Sequence, residues 1–504
     1  GMVAGIDAAG VLQALYRYPF GCTEQLASVA MPLLSFADPA LLSEAGAAPA
    51  GSEVRRRVQA AVDTILDRQD ADGYVGLWRR GDRWASNWLV VYAGDFLLRA
   101  RDAGYEVSDA AVASIDAMLD RVARGTPFET RGDANPVDIQ AARAYAAHLR
   151  ARRGGPLAAP LAENILRNPA REAGALTLAN LAAAHAASGD RTRAEPLFRQ
   201  AAQRLGVVPA GTYGAYATPL RDLLAVAALA TETGDLAAAG PLVAQIPRQM
   251  RPARELNTQE KAWALRAFAA LARGDPPAVV VEGVQTTAAA RRTGTVLLTP
   301  TAEDVARGYV VRTEAGGRDL FRSLIVRGVP REAPSALSAG LTLAKATFRP
   351  DGTAVDPVVD AIRQNERLVV VLSGAATDRL HRALALVDLL PAGWEVEEVL
   401  TPARLRDQPG LGWIEALSRL RMQEARDDRV VVAVDVNPPQ DRIWYYEEED
   451  DGTRKPDTAA FRVAYVVRAV TPGAYVLPAA TVEDMYRPTT MARTAGGLVE
   501  VLPR

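Results

Sequence analysis

Two side chains near the start of the chain are spaced so that they can react with each other. Cys22 is the only cysteine among the 504 residues, and Gln25 follows it by three positions. Pro19 and Gly21 predict a sharp turn, and the apolar run 26–36 predicts a helix directly after the pair. Cys22 is therefore expected at a helix start, where free backbone N–H groups favour a thiolate and a side chain one turn away is within reach.

This spacing allows an internal thioester to form. The sulfur of Cys22 can attack the side-chain carbonyl carbon of Gln25 and expel ammonia. The product is an activated acyl group that a nearby amine or hydroxyl can accept. The simpler alternative is an inert cysteine in the core, which is the commoner role of a lone thiol.

Segment 18–25, with the sequence YPFGCTEQ, resembles the thioester motif of the alpha-2-macroglobulin and complement superfamily and is most similar to its bacterial branch. Further segments also resemble bacterial macroglobulins, so the resemblance runs from residue 18 to residue 488. These segments are 73–105, 256–263, 387–395, 426–429 and 482–488.

Length and composition exclude several classes of protein. The length predicts two to four domains, and a net charge of −2 gives no basic surface for nucleic acid or an anionic membrane. No apolar run reaches the ~18–20 residues of a membrane span. The first residues lack the basic and apolar regions of a signal peptide, and Gly1 before Met2 indicates an excised fragment. Composition alone therefore does not predict a localisation.

The pattern of apolar residues changes once along the chain. Up to residue 275 it recurs at helical spacing, and after the GDPP segment 274–277 short β-branched runs predict strands. The fold class is therefore multidomain α + β, with an all-α N-terminal domain followed by β domains, the larger of which has the strand count of a sandwich. Helices are predicted at 54–68, 88–103, 137–152, 171–188, 193–205, 219–233 and 258–273.

Three architectures compete for the helical part. Segment 177–201 resembles a tetratricopeptide unit, but no period of about 34 residues runs through the domain. Segment 69–78 resembles the repeats of terpene cyclases, although the acidic cluster that cyclase chemistry needs is missing. Terpene cyclases and the macroglobulin thioester domain are both α/α toroids. These two likenesses therefore predict that fold for residues 1–275.

The resemblance implies the remaining domains and the function. Residues 276–334 would be the returning half of a CUB-like β domain, and residues 335–504 a terminal macroglobulin or receptor-binding-like sandwich. Full-length bacterial relatives are described as periplasmic, often lipoprotein-anchored protease traps. The chain would be the C-terminal part of such an inhibitor. It would not be an enzyme, because it would acylate a lysine amine of a target protease only once. The alternative is an interaction module with a free thiol.

The resemblance also assigns roles to the motif. Cys22 would supply the leaving sulfur and Gln25 the acyl carbon, with Gly21 and Glu24 supporting the turn. For Glu24 an exposed acid at the helix start is an equal alternative, because acids are favourable at that end.

Three residues would shield the thioester from water. In bacterial relatives the tyrosine at the place of Tyr18 covers the bond. Met485 and Tyr486 match a family segment that reaches from the terminal domain to the thioester. For each of the three, ordinary core packing is the alternative.

Other chemistry has little support in the sequence. Complement relatives that prefer hydroxyl targets use a histidine, but His148, His185 and His381 have no signature around them, so amines are the expected targets. No motif for a metal, a cofactor, a nucleotide or a serine hydrolase is present. The acidic run 447–452 predicts a solvated hairpin loop, with a calcium site as the alternative.

Overall fold

A computed structural model shows two compact units, residues 1–327 and 328–504. The structure describes residues 5–16, 18, 21–35, 51–130, 136–155, 159–167, 173–207, 216–271, 279–283, 290–292, 295–297, 300–313, 334–437 and 459–504.

The first unit is mainly helical. Its helices are α1 (Ala8–Tyr16), α2 (Thr23–Leu33), α3 (Gly51–Asp67), α4 (Asn87–Asp102), α5 (Asp109–Arg124), α6 (Pro136–Arg152), α7 (Ala159–Arg167), α8 (Ala175–Ala187), α9 (Arg191–Gln203), α10 (Pro219–Glu232), α11 (Leu236–Val243), α12 (Ile246–Gln249) and α13 (Thr258–Leu271).

Helices α2, α4, α6, α8, α10 and α13 form a closed inner ring. Each packs against the next in that order, and α13 packs against α2. Ring helices such as α4 and α8 are buried on nearly every side, whereas α3 and α5 bury one apolar face each, as expected for an outer layer. The unit is thus an α/α toroid, as predicted, and ring closure excludes an open tetratricopeptide solenoid.

Short polar side chains begin several of the ring helices. The hydroxyl of Ser86 accepts the backbone N–H of Leu89 at 3.1 Å at the start of α4, and the hydroxyl of Thr218 accepts the N–H of Arg221 at 3.1 Å at the start of α10. One outer helix returns the chain between successive ring helices, except between α10 and α13, where α11 and α12 do so together. The ring helices therefore run in the same direction, and their N-terminal ends lie together at the end of the toroid that carries Cys22.

Strands begin after the ring. Helix α13 ends at Leu271, and four short strands and one helix follow: β1 (Val279–Glu282), β2 (Ala290–Arg292), β3 (Thr295–Leu297), α14 (Ala302–Arg307) and β4 (Val310–Thr313). Strand β1 pairs with β4 and β2 with β3, both antiparallel. The division at 275 and 334 into three domains stays a prediction.

The second unit is built from β-strands. They are β5 (Leu337–Ala339), β6 (Ala344–Phe348), β7 (Ala354–Val355), β8 (Ile362–Arg363), β9 (Arg367–Ala375), β10 (Arg382–Leu389), β11 (Trp394–Leu400), β12 (Leu420–Arg426), β13 (Arg429–Val436), β14 (Ala460–Ala469), β15 (Gly473–Leu477), β16 (Thr481–Asp484), β17 (Arg487–Arg493) and β18 (Gly497–Leu502), with helix α15 (Pro402–Arg406) after β11.

Two antiparallel sheets form a sandwich in this unit. One has the order β12-β13-β10-β16-β17-β5, and the other has the order β11-β14-β9-β6-β7. Alternate residues of β9, namely Leu368, Val370 and Leu372, point into the core between the sheets. There they share one buried cluster with Tyr465 of β14 and Leu386 of β10. A small third sheet has the order β15-β18-β8.

Strands β9 and β14 are buried on their other face as well. Val369, Val371 and Val466 point away from the sandwich core and pack against Leu411 and Ile414 of the segment between β11 and β12. This second layer explains why β9 and β14 read as nearly continuous apolar runs in the sequence.

The predicted acidic loop at 447–452 lies outside the described residues. Among the residues that are described, no helix is long and apolar enough to cross a membrane.

Candidate functional site

Cys22 and Gln25 form a reciprocal capping box at the start of α2. Cys22 is the N-cap residue, with an extended backbone (φ −67°, ψ 163°), and its side chain faces the backbone N–H of Gln25. In return, the backbone N–H of Cys22 donates a hydrogen bond to Oε1 of Gln25 at 3.1 Å. The sulfur and the carboxamide are thus turned toward each other across the first helical turn.

Burial dominates the electrostatics of the thiol. The Cys22 side chain is fully buried, and this burial, with a smaller contribution from the Glu24 carboxyl, raises the pKa of the thiol well above its ordinary value. The backbone N–H groups of Gln25 and Glu24 and the guanidinium of Arg68 lower the pKa by less. The N–H groups at the helix start thus favour a thiolate, as expected, but burial outweighs them and the pKa of the thiol is raised.

Tyr18 contacts the carboxamide of Gln25. The Nε2 group of Gln25 donates to the Tyr18 hydroxyl at 3.4 Å, and the half-buried tyrosine lies beside the reactive pair. The ammonium of Lys261 lies 5.7 Å from the centre of the Tyr18 ring, within the range of a cation–π contact. The nitrogen that Tyr18 contacts is the one that leaves as ammonia when a thioester forms.

Glu24 is buried and joins α2 to α13. Its carboxylate accepts hydrogen bonds from Ser28 Oγ at 2.6 Å, from Gln259 Nε2 at 2.8 Å and from Thr258 Oγ1 at 2.8 Å. Burial raises the pKa of this carboxyl, while the three donors lower it. The alternative of an exposed acid at the helix start is wrong, because the carboxylate closes the seam between the first and last ring helices.

A second set of contacts holds the turn from the opposite side. The backbone N–H of Thr23 donates to the carbonyl of Leu77 at 2.8 Å, and its hydroxyl donates to the carbonyl of Gly76 at 2.6 Å. Arg68 donates to the carbonyl of Gly21 at 2.8 Å and to the Thr23 hydroxyl at 3.1 Å. The residues on either side of the cysteine are therefore both anchored.

The turn that supplies these carbonyls is itself tightly organised. The Asp82 carboxylate accepts the backbone N–H groups of Leu77 at 2.9 Å and Trp78 at 2.7 Å. A Cβ at Gly76 would lie 1.9 Å from the carbonyl oxygen of Arg79, so this position requires glycine. Segment 69–78, which resembles terpene cyclase repeats in sequence, therefore supplies the surface against which the Cys22 turn lies.

Met485 and Tyr486 lie in the second unit, at the tight turn between β16 and β17. Met485 is buried, and its N–H donates to the carbonyl of Ala383 at 3.0 Å. The N–H of Tyr486 donates to Asp484 at 2.9 Å, and Asp484 is paired with buried Arg382 at 2.7 Å. The conformation of this turn is thus well determined within its own unit.

His148, the histidine nearest in sequence to the motif, is buried within the helical unit. His148 is buried on α6, where its Nδ1 lies 3.0 Å from Oδ1 of Asn180. Burial lowers its pKa to about 4, so the ring is neutral near pH 7. This described contact does not involve Cys22 or Gln25.

The two other histidines also have contacts of their own. The Nδ1 of His185 lies 3.9 Å from the Asp190 carboxylate, and the Nδ1 of His381 lies 3.3 Å from the carbonyl of Val436. Neither of these described contacts reaches the reactive pair.

Sequence reasoning missed several residues of the site. Most are far from the cysteine in the chain, and all make short contacts around it in the structure. These residues are Thr23, Ser28, Arg68, Thr258, Gln259 and Lys261. The available signals were the motif 18–25, which contains Thr23, and the likeness of segment 256–263 to bacterial macroglobulins. Among the described residues, no group of three or more His, Cys, Asp or Glu side chains is placed to hold a metal ion.

One protein-family model matches part of the second unit. The model of the bacterial alpha-2-macroglobulin MG10 domain matches residues 340–448 and 455–489.

Comparison with curated proteins covers nearly the whole chain. An alpha-2-macroglobulin of Xylella fastidiosa is 27% identical over 99% of this chain and 30% of its own length. An alpha-2-macroglobulin of Escherichia coli is 28% identical over 97% of this chain and 29% of its own length. The chain thus spans less than a third of the length of these relatives.

Solved structures of alpha-2-macroglobulins are also similar to nearly the whole chain. The crystal structure of Salmonella alpha-2-macroglobulin reacted with methylamine is similar with a TM-score of 0.77 and 25% identity, over 99% of this chain and 31% of that one. Native Escherichia coli alpha-2-macroglobulin, from domain MG7 to the C-terminus, has the same fold with a TM-score of 0.76 and 23% identity, over 99% of this chain and 76% of that one.

Proposed function

Because the chain belongs to the bacterial alpha-2-macroglobulin family, we propose that it is part of a protease inhibitor that acylates its targets through an internal thioester. The observation that carries the proposal is the capping box of Cys22 and Gln25, in which each side chain faces the backbone N–H of the other residue. Both side chains therefore lie at the same first turn of α2, which favours a reaction between the sulfur and the carboxamide carbon.

The thioester would form by acyl substitution. The Cys22 sulfur attacks the carboxamide carbon of Gln25 and gives up its proton, the carbon–nitrogen bond breaks, and the nitrogen takes up that proton and leaves as ammonia. An amine can later attack the same carbon, form an amide and release the Cys22 thiol. The reaction occurs once per molecule, so the protein acts as an inhibitor and not as a turnover catalyst.

Burial supports the storage of such a bond. A thiol whose pKa is raised is a poor leaving group, so the surroundings of Cys22 slow both hydrolysis and premature acyl transfer. Tyr18 is the proposed cover within the first unit, since it already contacts the Gln25 carboxamide. The roles of Met485 and Tyr486 in the cover rest on the resemblance and are proposed on that basis.

The proposed partners are proteases, which would be captured through their lysine amines. The reaction of the Salmonella relative with methylamine supports an amine target. By the same resemblance, we propose a periplasmic location and a membrane anchor in the full-length protein.

Intact-mass measurement tests the thioester. The purified chain should be lighter than its sequence by one ammonia, and methylamine should add once and release one titratable thiol. Cys22→Ser and Gln25→Asn are the matched controls and should show neither change. A full-length chain mass with a free thiol and no methylamine adduct would instead support an interaction module.

A further inference from the structure

Arg68 lies directly after α3, and its guanidinium brackets Cys22. Its Nη2 donates to the carbonyl of Gly21 at 2.8 Å, and its Nη1 donates to the hydroxyl of Thr23 at 3.1 Å and the carbonyl of Leu77 at 3.1 Å. Gly21 and Thr23 are the chain neighbours of Cys22. The three hydrogen bonds therefore hold a positive charge next to the segment that carries the sulfur.

We propose, building on the proposed thioester, that Arg68 is a positioning residue for acyl transfer, which holds a fixed positive charge beside the Cys22 sulfur and stabilises the thiolate that leaves Gln25. A lysine at this place could carry the charge, but it could not reproduce the planar set of donors that binds two carbonyls and a hydroxyl at once.

The charge is needed at one step of the reaction. The lone pair of the attacking amine forms a bond to the acyl carbon of Gln25, the carbon–sulfur bond breaks, and its electron pair stays on sulfur. The amine nitrogen gives one proton to solvent, so the products are an amide and a thiolate. A thiolate in a buried site is costly unless a preformed charge or dipole faces it.

Among the charged groups near the turn, Arg68 is one that favours a thiolate at Cys22. The Glu24 carboxyl raises the pKa of the Cys22 thiol, whereas the guanidinium of Arg68 lowers it. The positive charge of Lys261 lowers the pKa of the Glu24 carboxyl, and the negative charge of Asp82 raises the pKa of the Arg68 guanidinium. Arg68 thus counteracts the rise in the pKa of the Cys22 thiol that burial and Glu24 cause.

Two variants of Arg68 separate charge from packing. Arg68→Met removes the charge and all three hydrogen bonds, and Arg68→Lys keeps the charge. Arg55→Met is the matched control, because Arg55 lies on α3 and donates to the carbonyl of Gly104 at 2.7 Å, with no described contact to the Cys22 turn. Two quantities are measured on the whole chain: the rate of methylamine incorporation and, from alkylation by iodoacetamide as a function of pH, the pKa of the released thiol.

Arg68→Met should slow methylamine incorporation about tenfold and raise the pKa of the thiol by about one unit, whereas Arg68→Lys should stay within about threefold of the parent rate. A merely structural role predicts the opposite sign, because a loosened turn would expose the thiol and lower its pKa. An unchanged or lowered thiol pKa in Arg68→Met, with a normal adduct in the parent chain, would overturn the role of Arg68 alone. Absence of any adduct in the parent chain would overturn the proposed function itself.

Discussion

The hydroxyl group of Thr258 donates to both carboxylate oxygens of Glu24, at 2.9 and 2.8 Å, although the two residues are 234 positions apart. The contact joins the last helix of the inner ring to the first, one residue before Gln25. Closure of the toroid and the position of the reactive turn therefore depend on the same buried carboxylate.

Replacing Glu24 by glutamine should weaken this seam. The Glu24 carboxylate is surrounded by hydrogen-bond donors, and the new amide N–H₂ would face those donors without an acceptor. We therefore expect a loss of about 1–3 kcal/mol in the free energy of unfolding. Methylamine incorporation should also become faster, because the turn loses its anchor. Denaturant unfolding and the rate of adduct formation measure the two effects. Glu195→Gln, on the exposed side of α9, is the control, and equal behaviour of the two variants would contradict the prediction.

Two variants of Tyr18 should separate its ring from its hydroxyl group. Tyr18→Phe keeps the ring and loses the described contact of the hydroxyl with Gln25 Nε2, a nitrogen that is absent once the thioester has formed. Its rate of methylamine incorporation should stay within about twofold of the parent, whereas Tyr18→Ala should be about tenfold faster because water and amines reach the bond. Time courses of adduct mass check this. Equal rates for Tyr18→Ala and the parent would remove Tyr18 from the cover.

Gly76 should not accept a side chain. A Cβ there would lie 1.9 Å from the carbonyl oxygen of Arg79, so the turn would have to move and its hydrogen bond to Thr23 would be lost. We expect Gly76→Ala to lower the free energy of unfolding by about 1–3 kcal/mol. Gly240→Ala is the control, since a Cβ at that helical position meets open space. A Gly76→Ala variant as stable as Gly240→Ala would show that the turn adapts.

His148 should make the helical unit sensitive to acid. Its pKa in the folded state is about 4, against 6.5 for the ordinary group, because burial disfavours the charged ring. The unfolded state therefore binds more protons between these values, and stability is present above about pH 6.5 and falls as the pH drops toward 4. The loss should reach about 3 kcal/mol, from 1.36 kcal/mol per unit of pKa. Unfolding curves at pH 7 and pH 4 should show a smaller difference for His148→Gln than for the parent.

A variant of His148 also tests whether a histidine takes part in acyl transfer. Its described contacts are with Asn180 and Tyr145, and not with the reactive pair. His148→Ala should therefore leave the rate of methylamine incorporation per folded molecule unchanged. A large loss would show that a histidine takes part in acyl transfer.

Local relationships in this protein could be read from the sequence. Cys22 and Gln25 are one helical turn apart, so their proximity follows from helix geometry. The change from helices to strands near residue 276 follows from the change in apolar period, and Gly76 lies in a turn marked by glycine and tryptophan. Each of these depends on interactions over a few residues.

Only the tertiary structure decided the surroundings of that pair. Thr258 reaches Glu24 because the ring closes, and Arg68 reaches the Cys22 turn because the outer helix α3 ends beside it. The same closure buries Cys22 and reverses the expected direction of its thiol pKa. The sequence by itself determined that Cys22 and Gln25 lie one helical turn apart, because that depends on local geometry. Their charge, shielding and anchoring were decided by contacts between distant segments, because burial and electrostatics depend on everything that packs around a site.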